Sequence, residues 1–515
     1  MGLPRKSRRE KEILAHAAEL FDAGAYEQVV NYYEGLSSAV VTPAIVADLA
    51  RAYANLAVQI SQETDEFDPR PKRMLDYAAT LMETADKFSD ELGDDAAYFI
   101  GKSLLLLDLP NLARPYLLRL QKAQPENKEA AQMLAYCDAT LAAPLGIVPF
   151  TRRAQASWER FEQREERIRR CLIVGDDEGA YTLADESLPD SAEFELVIDN
   201  IRGTFQLVLS PTHYRVELYK LAVFRDLAPA TVTRSWEVIL GWPPSDNIDF
   251  ETPRRILYAS DVRVWPEFHD EDGCVTLSAW SKGLAKELAV DPEMADKAFM
   301  QLADGTVGEV VMMQVLDGVH LLPTPPDENG ITLQELRALI FERLGQAHND
   351  ELGSFEACLD LEYYFTCVPS ESEGSEVGDR SDIFACMSYA PELVDEYADG
   401  LTDSVDIALS EGIVAGYLFW PHIDLPGVEM NEELAMELCE EVIDALCKGT
   451  TEQQVTFIGE SYGTRCTYID VLAWDFPAFV ETARQVFDTI PAIEAAAFRT
   501  LRPGTSSLAL KGSYS

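Results

Sequence analysis

Residues Gly459–Gly463 fit G-x-S-x-G, the spacing that surrounds a nucleophilic serine in α/β-hydrolases. That chemistry needs a sharp turn from a strand into a helix, and a histidine base further along the chain. Here the following residues, 465–473, have the pattern of a second strand, and the last histidine is His422. A hairpin between 455–458 and 466–473, with glycines at unusual backbone angles, accounts for the same residues. We therefore predict no catalytic residue in this motif.

The histidines, cysteines and carboxylates offer no spacing typical of a metal site. The six histidines include no H-x-x-x-H pair, and the nine cysteines include no C-x-x-C pair. His269 with Asp270–Asp272 could hold a divalent ion, but a solvated acidic turn explains the same residues. Residues 326–330 resemble a calcium loop only in part, because Pro325 stands where the first carboxylate ligand belongs. Phosphate-binding glycine motifs are absent as well, so we predict no metal and no cofactor.

The charge of the chain is strongly acidic and unevenly placed. There are 89 Asp and Glu residues against 42 Lys and Arg, a formal net charge of −47. Residues 1–172 have a net charge of −4, and the remaining residues have −43. Such a field repels phosphate backbones and attracts basic proteins. We predict a basic protein partner and no nucleic acid, with solubility as the alternative role of the acidic surface.

Two further patterns concern the compartment. No run of about 18 apolar residues is present, which argues against a membrane span. Residues 1–12 are basic but lack the apolar core and the cleavage site of a secretory signal. We therefore predict a cytoplasmic protein that does not bind membranes.

The first 145 residues contain a repeated helical pattern. Residues 10–42, the unit that begins at Pro43, and residues 94–125 each have the spacing of helix, turn, helix. Small and large apolar residues recur in these units, and a proline closes the third: Ala17, Leu20, Ala50, Tyr53, Gly101, Leu104 and Pro125.

This pattern resembles the tetratricopeptide repeat (TPR), although no unit has its tryptophan and the second unit contains an insertion at 62–72. The resemblance implies an α-solenoid over residues 1–145, with 128–141 as its capping helix and 62–72 as an exposed loop. A plain antiparallel helical bundle remains the alternative. If the solenoid is present, its concave face is a candidate peptide groove, and we predict partner contacts at Tyr26, Tyr33 and Tyr53.

Residues 146–175 are predicted to be a linker followed by a charged connecting helix, since opposite charges recur four residues apart. From residue 176 onward, short β-rich runs alternate with helical patterns. We predict two acidic α+β sandwich domains, 176–350 and 351–515. The predicted strands are 194–198, 205–209, 236–240, 274–280 and 308–315 in the first domain, and 361–368, 382–388, 413–420, 454–458, 466–473 and 496–501 in the second.

The last domain also resembles the C-terminal part of uncharacterised proteins from gut-type anaerobic bacteria that pair helical repeats with this region. The residues behind the resemblance are Gly416–Pro421, Phe457–Gly459, Tyr468–Asp470 and Trp474–Asp475. It implies no activity. The aromatic run at 417–420 favours a buried central strand; on the alternative of an exposed patch, Tyr417 and Trp420 are candidate partner contacts.

The predicted fold class is thus multidomain, with a TPR-like α-solenoid followed by two α+β sandwich domains. The predicted function is a non-enzymatic interaction protein that binds a basic partner, and one form of it is the masking of that partner by an immunity protein. The alternative is an enzyme whose site is assembled from dispersed residues of the α/β region. The oligomeric state is left open.

Overall fold

The computed structural model describes residues 8–37, 40–63, 69–88, 92–107, 109–188, 193–199, 203–212, 214–327, 329–369, 377–422 and 432–512. The chain divides into two compact units. Unit 1 comprises residues 1–143 and 502–508, and unit 2 comprises residues 144–501 and 509–515. The fold is mixed α and β, and within the described ranges the N-terminal region is helical and the strands come after it.

Unit 1 is built from helices in which each helix packs on the next. Alternate helices also touch, the first with the third, the third with the fifth and the fifth with the seventh. Gly101 allows one close approach, because a Cβ atom there would lie 2.8 Å from the side chain of Leu117. The helices are α1 (Arg8–Asp22), α2 (Tyr26–Glu34), α3 (Pro43–Glu63), α4 (Pro69–Lys87), α5 (Gly93–Leu106), α6 (Pro110–Ala123) and α7 (Lys128–Thr140).

Parts of the predicted loop at 62–72 are helical. Helix α3 continues to Glu63 and α4 already begins at Pro69, whereas residues 64–68 lie outside the described residues. Proline is well tolerated in the first turn of a helix, where its missing N–H has no partner to lose. The predicted capping helix is present as α7. The TPR-like solenoid itself stays a prediction.

A short segment from the far end of the chain belongs to unit 1. Residues 502–508 are part of that unit, and the Ser506 N–H donates to the carbonyl of Leu141 at 2.8 Å. Gly504 (φ 74°) lies so close to Asn111 that a Cβ atom there would approach the Asn111 side chain to 2.4 Å. Only glycine meets both demands, because the left-handed φ is also unfavourable for other residues.

Residues 144–350 of unit 2 form small sheets surrounded by helices. The helices are α8 (Phe150–Val174), α9 (Asp177–Asp185), α10 (Arg215–Asp226), α11 (Ala230–Thr233), α12 (Lys282–Leu288), α13 (Pro292–Val307), α14 (Glu309–Val315) and α15 (Leu333–Leu344). The strands are β1 (Glu193–Asp199), β2 (Thr204–Ser210), β3 (Trp236–Leu240), β4 (Asp249–Thr252), β5 (Arg255–Tyr258), β6 (Arg263–His269), β7 (Cys274–Trp280) and β8 (Leu316–Leu321). They pair as β1-β2-β3, β4-β5 and β6-β7-β8, so this region has three small sheets where one sandwich sheet was predicted.

The strand predicted at 308–315 is wrong, because these residues form helix α14. A short apolar run cannot distinguish a buried strand from a buried helix by its pattern alone. Gly308, at φ 106°, ends α13 and opens α14. Helix α15 begins with a capping box, whose sequence signature is Thr332 followed by Glu335 three residues later. The Thr332 hydroxyl accepts from the Glu335 N–H at 3.1 Å.

The rest of unit 2 is organised by one larger sheet. Its strands are β9 (Tyr363–Thr366), β10 (Ile383–Ser388), β11 (Val414–Pro421), β12 (Val455–Gly463), β13 (Cys466–Ala473), β14 (Ala496–Thr500) and β15 (Leu508–Lys511). The accompanying helices are α16 (Phe355–Leu359), α17 (Pro391–Asp399), α18 (Asp403–Ser410), α19 (Glu432–Gly449) and α20 (Phe476–Thr489). The strand order is β15-β14-β11-β13-β12-β10-β9, and β13 is buried at every residue. All six predicted strands of this region are therefore confirmed.

Helix α8 is a core helix of unit 2, although its charge pattern predicted a solvated connector. Trp158 and Phe161 are fully buried, and the Trp158 ring stacks on Phe224 with centroids 4.6 Å apart. The predicted i,i+4 ion pairs do form on its outer side, between Arg169 and Glu165 for example. One hydrophobic cluster joins α8 to residues on both sides of the predicted boundary at 350/351, including Leu207, Tyr417 and Tyr468.

We predict that Phe161→Ala lowers the free energy of unfolding of unit 2 by about 3–5 kcal/mol, because it leaves a cavity in that shared cluster. Urea unfolding of the full chain measures it. The neighbouring Glu162 is exposed, so Glu162→Ala should change stability by less than about 0.5 kcal/mol. Equal, small effects of both substitutions would mean that α8 is only a connector.

Candidate functional site

The structure places the five predicted partner contacts in two environments. Tyr33, Tyr417 and Trp420 have exposed fractions of 3%, 1% and 2%, so they belong to hydrophobic cores. Tyr26 and Tyr53 are half-buried. The burial of Tyr417 and Trp420 agrees with the interpretation of 417–420 as a central strand and removes both from the surface of the described structure. The partner-binding role of the tyrosines stays a prediction.

In unit 1 the accessible aromatic surface includes a residue that sequence reasoning missed. The Tyr53 ring meets the Tyr77 ring edge-on with centroids 5.1 Å apart, and Tyr77 is exposed. The Tyr53 hydroxyl donates to Glu34. Burial, together with this hydrogen bond, raises the pKa of Tyr53 above its ordinary value, so its hydroxyl stays protonated at neutral pH and keeps its hydrogen bond to Glu34.

The G-x-S-x-G residues lie within a strand. β12 runs through Gly463 and pairs antiparallel with β13, which confirms the predicted hairpin and leaves no strand-to-helix elbow. Gly459 and Gly463 have no positive φ, so the expectation of unusual backbone angles is wrong. They are small for another reason: a Cβ atom would come within 2.5 Å of the Met387 carbonyl at Gly459 and 2.2 Å of Asp382 at Gly463.

Ser461 belongs to a buried polar cluster centred on Arg380. The Arg380 guanidinium donates to both carboxylate oxygens of Asp470 and, at 3.0 Å, to the Ser461 hydroxyl. It also lies over the rings of Tyr417 and Tyr468, at 5.0 and 5.5 Å from their centroids. Burial by itself would lower the pKa of Arg380, but the charge of Asp470 raises it. Arg380 therefore keeps its charge inside the protein, with the Asp470 carboxylate as its ion-pair partner.

Asp382 fixes the hairpin that carries this cluster. Its carboxylate accepts from the N–H groups of Arg465 and Cys466, at 2.7 and 3.0 Å, and from the Tyr468 hydroxyl. Charge-assisted hydrogen bonds of this kind are stronger than neutral ones. Because Arg380 and Asp382 are two residues apart, the segment 377–382 is attached to β12 and β13 at two points.

The cluster is closed to solvent. Ser461, Asp382 and Asp470 are 0%, 0% and 1% exposed, and their side-chain oxygens accept hydrogen bonds from Arg380, from Tyr468 or from the backbone. Such an arrangement stabilises one packing of the sheet and offers no accessible nucleophile. The sequence contains a signal for it, because Arg380 is the only Lys or Arg between residues 344 and 447.

We predict that Arg380→Ala lowers the free energy of unfolding by about 3–5 kcal/mol, because it leaves the Asp470 carboxylate buried without its counter-ion. Replacing both partners, as Arg380→Met with Asp470→Leu, should restore most of that loss. Chemical denaturation measures both variants. Arg170→Ala is the control, since its ion pair with Glu166 is exposed and worth less than about 1 kcal/mol. If the double variant were as unstable as Arg380→Ala, the loss could not be assigned to an unpaired Asp470 carboxylate.

The outer face of α19 is an exposed charged surface of unit 2. Glu437, Glu440, Glu441 and Asp444 are all exposed there and stand three or four residues apart, so they form one acidic stripe. Its single ion pair among the described residues joins Asp444 to Lys448 at 3.4 Å. We call these four carboxylates the α19 stripe.

Other kinds of site have little support among the described residues. No group of three or more His, Cys, Asp and Glu side chains there is arranged to hold a metal ion. None of the helices that the structure describes is both long and apolar enough to span a membrane. The nine cysteines are free thiols, and Cys367 and Cys447 are exposed.

Comparison with models of protein families, with curated proteins and with solved structures gave no match.

Proposed function

We propose that the protein is a non-enzymatic binding protein whose acidic unit 2 holds a basic protein partner, with the α19 stripe as a principal contact. The observation that carries the proposal is the stripe itself. It contains four carboxylates that contribute nothing to the core, and a single lysine opposes them. Unit 1, as a TPR-like scaffold in the same cytoplasmic protein, supplies a second protein-binding surface that includes Tyr53 and Tyr77.

The α19 stripe lowers the stability of the free protein, and this supports a role in binding. Like charges three or four residues apart destabilise a helix by roughly 0.2–0.5 kcal/mol per pair. Glu437 with Glu440, Glu437 with Glu441, Glu440 with Asp444, and Glu441 with Asp444 make four such pairs. A helix selected for stability alone would alternate its charges. A basic partner removes the repulsion and gains attraction, so the cost in the free protein becomes affinity in the complex.

Masking is the form of binding that this surface suits best. An acidic surface competes with nucleic acid for the basic residues of a toxin or nuclease, because both present rows of negative charge. An immunity-like role follows if the partner is such a protein. Electrostatic steering would also make association fast at low salt.

We predict that neutralising the α19 stripe stabilises the free protein and weakens its binding to the basic partner. The variant carries Glu437→Gln, Glu440→Gln, Glu441→Gln and Asp444→Asn together. Stability should rise by about 1–2 kcal/mol at low salt, and the gain should disappear near 1 M salt, where screening is nearly complete. Thermal unfolding at two salt concentrations measures this.

Partner binding is tested by affinity capture from the native cell with the full chain as bait, followed by mass spectrometry and by titration of the purified partner. The stripe variant should bind a basic partner at least about tenfold more weakly, a loss of about 1.4 kcal/mol. The matched control removes four exposed carboxylates elsewhere in unit 2, with Glu271→Gln, Asp272→Asn, Glu293→Gln and Asp296→Asn. Equal binding by both variants would sink the assignment of the stripe, and the absence of any basic partner would sink the proposed function.

A further inference from the structure

Strand β9 ends the large sheet, and its outer backbone edge can be identified from the ladder. The Cys367 N–H donates to the Phe384 carbonyl at 3.0 Å. Hydrogen-bonded and non-hydrogen-bonded pairs alternate along an antiparallel ladder. Thr366 lies opposite Ala385, and Tyr364 lies opposite Met387. Tyr364 and Thr366 are therefore at the non-hydrogen-bonded positions of the β9–β10 ladder. Their N–H and C=O groups point away from β10, toward the free edge.

The side chains on this edge are exposed and partly apolar. Tyr364 is 75% exposed and Val368 is 90% exposed. In register with Tyr364, the neighbouring strands place Met387 and then Glu460 on the same face. Among the described residues no strand pairs with β9 on its other side. Native proteins usually protect such an edge with a lysine, a proline or a covering element, and β9 contains neither lysine nor proline.

A fixed carboxylate stands at the start of the same edge. Glu362 accepts hydrogen bonds from the hydroxyls of Tyr364 and Tyr389, one on each carboxylate oxygen. Both bonds hold the carboxylate in place, yet in the described part of the chain no Lys or Arg pairs with it. Each carboxylate oxygen keeps a further lone pair that can accept from a cation. Glu362 is therefore a preorganised acceptor for a basic side chain.

The charge around the edge has one sign. Residues 344–379 contain nine Asp and Glu residues and no Lys or Arg. Asp350, Glu351, Glu356, Asp360 and Glu362 are all exposed. An acidic or neutral strand would gain little here, whereas a strand with positive side chains would be attracted. On the opposite face of β9 from Tyr364, Tyr363 is also partly exposed. Its ring lies against the buried Arg215 and can make an apolar contact with a bound strand.

We propose that β9 receives an extended segment of a basic protein as an additional antiparallel or parallel strand. Its backbone pairs with the outward groups of Tyr364 and Thr366. Its Lys or Arg side chains lie along Tyr364 toward Glu362 and Glu460, and the alternate apolar side chains face Tyr363. This inference rests on the proposed function, because it gives the basic partner a mode of binding, β-strand addition.

The experiment uses the full chain and a short fluorescent peptide of alternating lysine and valine. Anisotropy measures binding at low and high salt, and hydrogen exchange measures protection of the Tyr364 and Thr366 amides. We expect salt-sensitive binding, slower exchange at both amides, and no binding of the matching glutamate–valine peptide. Glu362→Gln should weaken the peptide severalfold and reduce its salt dependence, whereas Glu351→Gln, in the same acidic stretch, should change it little.

The decisive variant is Thr366→Pro. It removes an outward N–H donor and leaves the β9–β10 hydrogen bonds in place, and edge strands tolerate proline at such a position. We expect peptide affinity to fall about tenfold or more, the scale of a lost hydrogen bond plus a blocked edge. Thr366→Val, which keeps the N–H, should bind normally. Normal binding by Thr366→Pro, or no binding of the lysine–valine peptide, would overturn the inference.

The same variants separate this inference from the proposed function. If the α19 stripe variant loses the captured basic partner while Thr366→Pro keeps it, binding by unit 2 stands and strand addition fails. If Thr366→Pro also loses the partner and Thr366→Val does not, both stand. If no basic partner is captured by any form of the chain, the proposed function fails as well.

Discussion

The organisation of unit 2 depends on one buried ion pair, between Arg380 and Asp470. Burying a guanidinium and a carboxylate is costly unless the two pair in good geometry and further hydrogen bonds satisfy their remaining polar atoms, as the Ser461 hydroxyl does for Arg380. Segment 377–382, β12 and β13 must therefore reach their places together. Gly378 shows how tightly the segment is held: it has a φ of 77°, and a Cβ atom there would overlap the Phe419 ring. The pair gives the sheet one packing, and this explains why a serine in a nucleophile-like motif serves only to bind Arg380.

Local patterns in the sequence were enough for much of this fold, and long-range placement was not. The hairpin of β12 and β13 and the capping box at Thr332 follow from residues close together in the chain, so both could be predicted. The segment 308–315 could not, because its apolar residues suit a buried strand and a buried helix alike. The role of α8 as a core helix was missed for a related reason. Its many charges conceal one apolar face, and only the packing of Trp158 on Phe224 shows which face is buried. The Arg380 cluster joins residues up to 90 positions apart, and a single sequence gives no distance between them. The acidic character of the surface could be predicted from composition. The α19 stripe and the β9 edge could be identified only once the structure showed which side of each element is exposed.

The fold buries a quarter of the few cations in residues 173–515, together with an equal number of carboxylates. Residues 173–515 contain 20 basic residues, and five of them are buried: Arg215, Lys220, Arg380, Arg499 and Arg502. Five carboxylates of the same residues are buried as well: Glu287, Asp304, Glu309, Asp382 and Asp470. Lys220, for example, lies between Glu217 and Glu411. A buried cation that is paired with an internal carboxylate contributes little positive potential at the protein surface. The carboxylates of α19 and of the residues around β9 face solvent with few positive neighbours, which gives both candidate surfaces the same electrostatic preference.

The contribution of residues 502–508 to unit 1 has a consequence for biosynthesis. A ribosome releases the helices α1 to α7 long before Gly504 and Ser506 are made, because more than 350 residues separate Leu141 from Arg502. Until then the site beside Asn111 and the Leu141 carbonyl has water in place of its final neighbour. Unit 1 therefore reaches its complete native form only after translation of unit 2, so helices α1 to α7 are made before unit 2 and finish folding after it has been made.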